Sequence, residues 1–426
     1  MFDVFRNAFK SPELRKKILF TLFIIIIFRI GSAIPAPFVD ASVLVDLFSN
    51  GSAFDYLNML SGGSFSNATL FALSITPYIN SSIIIQLLTV AIPPLERMAK
   101  EGGEGRRKLG KITRYTTVGL ALLQAVGYYF LIRNYGGIAY TNGMEGFFAA
   151  LVIVLVLTAG AALIMWLGEQ INDKGLGNGI SIILFAGIVC RAPDAVMVLW
   201  QNFQQGGINY FLVPLLVVIF LAIVVAIIIM TNAERRIPVQ YAKRVVGRKM
   251  YGGQSSYIPI KVSMSGVMPI IFASAFLSLP STILLFWTPE AGSFWEGFFN
   301  AFSSNGVIYA VLYFLLIIGF NYFYVAIQYN PVEIANNIKS NNGAVPGIRP
   351  GKPTVQFISK VIHKITLVGA LFLGVIAVFP IILANVTGIN ISLGGTSIII
   401  VVGVALDTMR QLESQLTMRH HKGFLE

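Results

Sequence analysis

The sequence is short of charge. Only 12% of its 426 residues are charged, and acidic residues are the scarcer kind: 19 Asp and Glu against 31 Lys and Arg, a formal net charge of +12. A soluble domain of this length needs far more charge to cover its surface, so the shortage points to a membrane protein. In a soluble chain the positive excess would suggest a nucleic-acid partner; here the placement of the cations decides. Cysteine is nearly absent. Cys190 is the single one, which excludes an intrachain disulfide, and its apolar neighbourhood reads as packing. The three histidines, His363, His420 and His421, are too few and too scattered for a convincing metal site. No cofactor is expected. The apolar runs contain no nucleophile with a histidine base, no paired aspartates and no ligand set, which argues against an intramembrane enzyme.

Long apolar runs are abundant. A run of roughly 20 residues crosses the hydrocarbon core as a helix. Ten candidates lie near 18–34, 74–93, 114–133, 147–168, 180–200, 210–231, 264–287, 307–328, 361–384 and 395–413. The first follows a basic opening and has the layout of a signal peptide, with Ser32-Ala33 as a possible cleavage region; the string of later spans favours an uncleaved first helix. Arg29 does not spoil that span. A central Arg costs about 3 kcal/mol, each Leu, Ile or Phe returns roughly 0.3–0.6 kcal/mol, and Arg29 is near an end where it can snorkel.

The cations alternate with these spans. All but Arg29, Arg133 and Arg191 fall before the first span, in the loops after the second, fourth, sixth and eighth, or in the tail. The other loops hold Asp40, Asp46, Asp55, Glu145, Glu290 and Glu296 without Lys or Arg. The positive-inside rule therefore predicts both termini in the cytoplasm. The expected fold class is an all-α polytopic membrane protein of ten transmembrane helices; that they form two pseudo-symmetric five-helix halves, 1–205 and 206–426, around a central pore is what the resemblance described below implies.

Two polar interruptions suggest where that pore runs. The segment 56–70 carries Gly62-Gly63 with several Ser, Asn and Thr, and is too short and polar to cross lipid alone. It is either an ordinary external loop or irregular backbone sheltered inside the protein, the only place such backbone is tolerated at membrane depth. The second span has Pro77 breaking its start, Asn80, Ser81, Ser82 and Gln86, and an Ile75, Ile79, Ile83 stripe that packs on other helices or lines an aqueous cavity. The seventh span echoes it with an early Pro269 and frequent Ser and Ala. Interrupted helices at matching places in two halves point to a pathway between inverted repeats.

Two long loops, 232–262 and 330–360, are predicted on the cytoplasmic side. The first has alternating runs at 237–241 and 257–262 around a basic middle, which reads as a ribbon; the second is stiffened by Pro346, Pro350 and Pro353 and presents Arg349 and Lys352. Topology or anionic lipid explains many of these cations; the loop lengths favour a large acidic docking partner. GRRKLGK at 105–111 satisfies GxxxxGK, but Ile112 stands where a phosphate loop needs Ser or Thr, and no strand precedes it. Any nucleotide energy must come from another protein.

TPYINSSIIIQLL, KEGGEGRRK, WLGEQINDKGLGNGIS, RRIPVQYAKRVVGRKMYGGQ, GVMPIIFAS, PGIRPGKPT and GGTSIIIVVGVALDTMRQLESQL, in that order over nearly the whole chain, resemble the SecY family, the channel subunits of the bacterial Sec protein translocase. The resemblance implies a clam-like channel in the bacterial cytoplasmic membrane that passes unfolded secretory polypeptides and releases hydrophobic segments, such as a signal sequence, sideways into the lipid bilayer. It implies SecE and SecG as small membrane partners, and SecA or the ribosome docking on the cytoplasmic loops. It further implies a pore ring of Ile75, Ile79, Ile180, Leu184, Ile270 and Ile400. The plug would be 56–70, with Tyr56, Leu60, Gly62, Gly63, Phe65, Asn67 and Leu70. Pro77, Asn80, Ile83, Gln86, Pro269 and Ser274 would belong to a lateral gate. Lys243, Arg244, Arg248, Lys249, Arg349 and Lys352 would bind partners. Leu184 replaces an expected Ile, Thr76 and Asn80 replace Met and Ser, and Ser256-Tyr257 replaces Thr-His. In such a channel the polar plug would be satisfied by funnel water. The main rival, a secondary transporter, usually keeps ionisable groups at the midplane, whereas Glu169, Arg191, Asp194 and Asp407 are nearer to helix ends.

Overall fold

The computed structural model describes residues 6, 8–44, 58, 60–141, 143–204, 209–241, 244–246, 249–251, 255–284, 286, 293–301, 306–387 and 395–422. Each of the ten expected spans falls on a helix or a helix pair. In chain order these are α1 (Pro12–Gly31), α2 (Thr76–Ala91) with α3 (Pro93–Lys100), α4 (Gly103–Asn134), α5 (Gly143–Lys174), α6 (Gly179–Val189) with α7 (Ala192–Gln204), and α8 (Asn209–Asn232). The second half supplies α9 (Met268–Leu277) with α10 (Leu279–Leu284), α11 (Phe294–Ala301), α12 (Val307–Gln328), α13 (Pro331–Ser340), α14 (Lys352–Thr387) and α15 (Gly395–Lys422). Among the described residues six helical stretches are long and apolar enough to span a membrane alone, and the bent pair α2 and α3 makes a seventh.

Several helix starts are written in the sequence. Pro12, Pro77, Pro93, Pro269 and Pro331 all occupy a first-turn position, where the missing N–H costs nothing. Pro77 thus begins α2 rather than breaking it. The Asn178 side chain accepts from Ile180 N–H and the Asn330 side chain from Val332 N–H, capping α6 and α13. Pro214 in α8 and Pro380 in α14 are interior, as membrane helices tolerate when neighbours satisfy the freed carbonyls. At Ile92 the chain turns by 102° between α2 and α3, so the second span ends in an amphipathic helix instead of running straight.

Among the described residues, buried apolar side chains gather in five clusters. One joins both halves and is described below. A second packs α4 and α5 around the segment that precedes α2, with Phe65, Ala68, Ala72 and Leu73 buried against Tyr128, Ile132 and Leu157. A third holds α8, α9, α12, α14 and α15 together. A small fifth cluster seats Leu14 and Ile18 of α1 on Leu176 and on Leu412 of α15, tying the first helix to the last.

The two long loops build one structure. β1 (Glu234–Tyr241) pairs antiparallel with β4 (Ser255–Lys261), Ile237 facing Ile258, while β2 (Arg244–Val246) and β3 (Lys249–Tyr251) form a ribbon between them. β5 (Gly343–Ala344), from the other loop, adds to β1 at Gln240 and Tyr241, giving the order β4-β1-β5. Ile237, Val239 and Ile260 cover Ala335, Ile338, Val345 and Ile358 of the second loop and α14. The alternation that predicted a ribbon thus serves a sheet with one buried face.

Candidate functional site

The cluster that spans both halves collects Ile24 and Phe28 of α1, Leu60 and Phe71, Ile75 at the cap of α2, Ile79 and Ile83 of α2, Ile164 and Leu167 of α5, Ile183 and Leu184 of α6, Ile271 and Phe272 of α9, and Ile400 and Val404 of α15. Of the residues expected in a ring, Ile75, Ile79, Leu184 and Ile400 are buried here and Ile180 packs half-buried against them. Ile270 does not join them. It is buried in the neighbouring cluster with Ile317, Leu373 and Ile399, and the next residue, Ile271, is buried in the cluster that holds Ile79. The reason is helical geometry: α9 separates two apolar clusters, so consecutive residues, about 100° apart, reach opposite ones.

The resemblance of α2 to α9 explains which residue turns inward. Ser74, two residues before α2, has φ 50°, and Gly266, two residues before α9, has φ 59°. Each helix then carries Pro at the same early position, so Ile79 aligns with Ile271, five residues past each turn. The aligned starts were available in the sequence as TPYIN and MPIIF.

Next to this cluster lies the expected plug. Tyr56 is outside the described residues. Leu60 and Phe65 are buried, Gly62, Gly63 and Leu70 half-buried, and Asn67 exposed. Several of its polar side chains bond within the segment itself, although the buried Ser64 hydroxyl has no protein partner. Ser61 Oγ donates to the Asn58 carbonyl and accepts from Phe65 N–H, each at 3.0 Å. Asn58 Oδ1 accepts from Ser66 N–H at 3.0 Å, Ser66 Oγ donates to the Gly63 carbonyl at 3.1 Å, and Thr69 Oγ1 donates to the Ser64 carbonyl at 3.3 Å. The polar composition therefore buys a compact knot that can be carried as a unit. Gly62 and Gly63 have φ of 66° and 87°, the left-handed region where glycine is strain-free.

The berth for this knot is made by small residues on three helices. A Cβ at Gly160 of α5 would lie 2.1 Å from the Leu70 carbonyl oxygen, one at Gly187 of α6 3.0 Å from the Leu60 carbonyl oxygen, and one at Gly31 of α1 2.1 Å from the Phe71 ring. None of these three was legible as functional, because a helical glycine in a membrane span is ordinary.

The expected gate residues lie on touching helices, α2 and α9. Pro77, Asn80, Ile83, Pro269 and Ser274 are buried and Gln86 is half-buried. Gln86 Nε2 donates to Ser82 Oγ at 3.4 Å, and Ser274 Oγ donates to the Ile270 and Ile271 carbonyls. α2 is tied to α4 by Ser81 Oγ donating to the Thr113 carbonyl at 2.9 Å. The start of α9 is tied to the rest of its half by Ser265 Oγ donating to Asn321 Oδ1, whose Nδ2 donates to the Thr366 carbonyl at 3.1 Å.

Of the expected partner-binding cations, Arg349 is exposed between Gly347 and Gly351, which have φ of 78° and 107°, and Lys352 is exposed as the first residue of α14. Arg244 and Lys249 lie on β2 and β3; Lys243 and Arg248 fall outside the described residues. Arg236 on β1 is 2.7 Å from Glu234 and stacks over the Tyr257 ring. The hydrogen bond to Glu234 raises its already high pKa, so it stays charged. Tyr257, one of the unassigned departures, thus has a partner in this chain. Among the described residues no cluster of His, Cys, Asp and Glu suits a metal ion.

The SecY family model matches residues 69–409. The protein translocase subunit SecY of Streptomyces scabiei is 44% identical over the whole of both chains, and that of Halalkalibacterium halodurans is likewise 44% identical over the whole of both. Among solved structures, a protein-conducting channel aligns with a TM-score of 0.65 at 16% identity, covering 94% of this chain and 92% of its own. The Sec61 channel of a canine ribosome complex aligns with a TM-score of 0.61 at 15% identity, covering 96% of each. The chain belongs to the SecY family.

Proposed function

We infer that this chain is a protein-conducting channel of the membrane, which lets unfolded secretory polypeptides cross and releases hydrophobic segments sideways into lipid. The observation that carries the inference is one apolar cluster, fed by α1, α2, α5 and α6 from one half and α9 and α15 from the other, with a self-contained polar knot seated against it. A ring of apolar side chains dewets an empty passage and opposes ion leakage, yet makes no fixed hydrogen bonds, so chains of any sequence can slide through. Hydrophobic stretches leave between α2 and α9, because partitioning favours Leu and Ile in lipid while Lys and Asp stay in water.

On this reading Ile75, Ile79, Ile180, Leu184, Ile271 and Ile400 form the constriction, and 56–70 is the plug. Both termini and the sheet built from the two loops face the bacterial cytoplasm, where Arg349, Lys352 and the ribbon cations receive SecA or the ribosome. SecE and SecG are the expected small membrane partners. The chain performs no catalysis itself; the motor supplies the ATP.

Deleting 56–70 is expected to raise ion conductance of the resting, reconstituted channel, and unchanged conductance would remove the plug assignment. Arg349→Glu is expected to abolish most SecA-driven transport of an unfolded precursor into vesicles while leaving the Tm of the purified protein unchanged. Normal transport by that variant would remove the docking role.

A further inference from the structure

We propose that Tyr128 is the latch that holds the plug in its seat, and that Cys190 is a built-in reporter of whether the seat is filled. The proposal rests on the reading of residues 56–70 as a plug. Tyr128, on α4, is fully buried, and its Oη–H donates to the Phe65 carbonyl at 2.5 Å. Its ring packs on the Phe65 ring with centroids 4.7 Å apart. The hydrogen bonds of residues 58–67 described above are internal to the segment, so they travel with it when it moves. At its C-terminal end the segment is joined to the chain after α1, Ala36 N–H donating to the Ala68 carbonyl and Leu70 N–H to the Ile34 carbonyl. Around its tip, Ser74 Oγ donates to the Leu60 carbonyl at 3.4 Å and the Cys190 thiol to the Gly62 carbonyl at 3.7 Å, both longer than the bond from Tyr128. The bond from Tyr128 is therefore the shortest of these side-chain ties to the wall; moving the segment leaves a buried hydroxyl to be rehydrated or re-paired.

Cys190, at the end of α6, lies on the other side of the same knot. Its thiol donates to the Gly187 carbonyl at 2.9 Å, and a Cβ placed on Gly62 would come within 3.0 Å of its sulfur. The seated segment therefore covers one side of a half-buried sulfur, and its departure exposes the thiol further to alkylation. Because the chain has one cysteine, its alkylation reads the position of the plug without interference.

The test uses full-length protein in vesicles with N-ethylmaleimide as the probe and the resting ion conductance as a second readout. Tyr128→Phe removes one oxygen and keeps the ring contact; it is expected to raise both the Cys190 labelling rate and the conductance by on the order of tenfold, the effect of losing a buried hydrogen bond. Tyr129→Phe, the adjacent tyrosine, is expected to leave both at the parent level. Deleting 56–70 sets the upper limit of both readouts. If the deletion raises them and Tyr128→Phe does not, the latch is wrong and the plug stands. If the deletion also changes nothing, the plug reading fails with it. Should Tyr128→Phe lower the yield of folded protein, Tyr128→Trp, which retains an N–H donor, must restore labelling to within a fewfold of the parent; equal labelling in both variants overturns the latch.

Discussion

α2 and α9 start alike and live differently. Both follow a residue with positive φ, both carry Pro in the first turn, and both send the isoleucine five residues past that turn into the shared apolar cluster. Yet nearly every described residue of α9 is buried, whereas Tyr78, Ser82 and Gln86 of α2 are half-buried and Ile84 is exposed. α9 divides two apolar clusters and spends both faces on them. α2 spends one face and keeps polar groups on the rest. Matching starts thus fix which residues meet at the centre, while the surroundings decide which helix has a free side along which a wall can part.

Three measurements would break or sharpen this comparison. The largest effect is expected at the anchor of α9: Asn321→Leu strands the buried Ser265 hydroxyl and removes the bond to the Thr366 carbonyl, costing about 2–4 kcal/mol of stability. Ser81→Ala, which frees α2 from α4, is expected to cost only about 1 kcal/mol. Equal losses in thermal unfolding of the two purified variants would mean that the helices are held alike. Next in size is the register of α9. Ile271→Asn is expected to raise resting ion leak severalfold, whereas Ile270→Asn leaves leak unchanged and lowers Tm; the reverse pattern would return Ile270 to the constriction. The smallest effect concerns the two turns. Gly266→Ala is expected to cost about 1 kcal/mol because only glycine holds positive φ without strain, whereas Ser74→Gly relieves that strain but removes the buried bond to the Leu60 carbonyl, so its net change is expected to stay within about 1 kcal/mol, both read from denaturation midpoints.

Much of this architecture was legible in the chain, for identifiable reasons. Apolar runs and their lengths located the spans, and period-two alternation located β1 and β4. What stayed hidden depended on distant partners. Nothing near Gly343-Ala344 announces that these two residues extend a sheet begun a hundred residues earlier. Pro93-Pro94 mark the bend at Ile92 and Pro193 follows the division between α6 and α7, but neither signal gives the angle between the helices it separates. Polar content marked residues 56–70 as unsuited to lipid but not which bonds they form: among those described, Ser61, Ser66, Thr69 and Asn58 bond within the segment. That Ile271 rather than Ile270 is buried in the cluster with Ile79 is a one-residue difference that an apolar pair conceals and that only the internal alignment of TPYIN with MPIIF brings out.

The joining of two loops into the β4-β1-β5 sheet has a mechanical consequence. The ribbon β2-β3 leaves this sheet between β1 and β4, and Arg349 follows β5 by five residues, so both emerge from one slab whose underside packs on α13 and α14. On the docking reading proposed above, a load applied at either place would reach α14 through the same sheet.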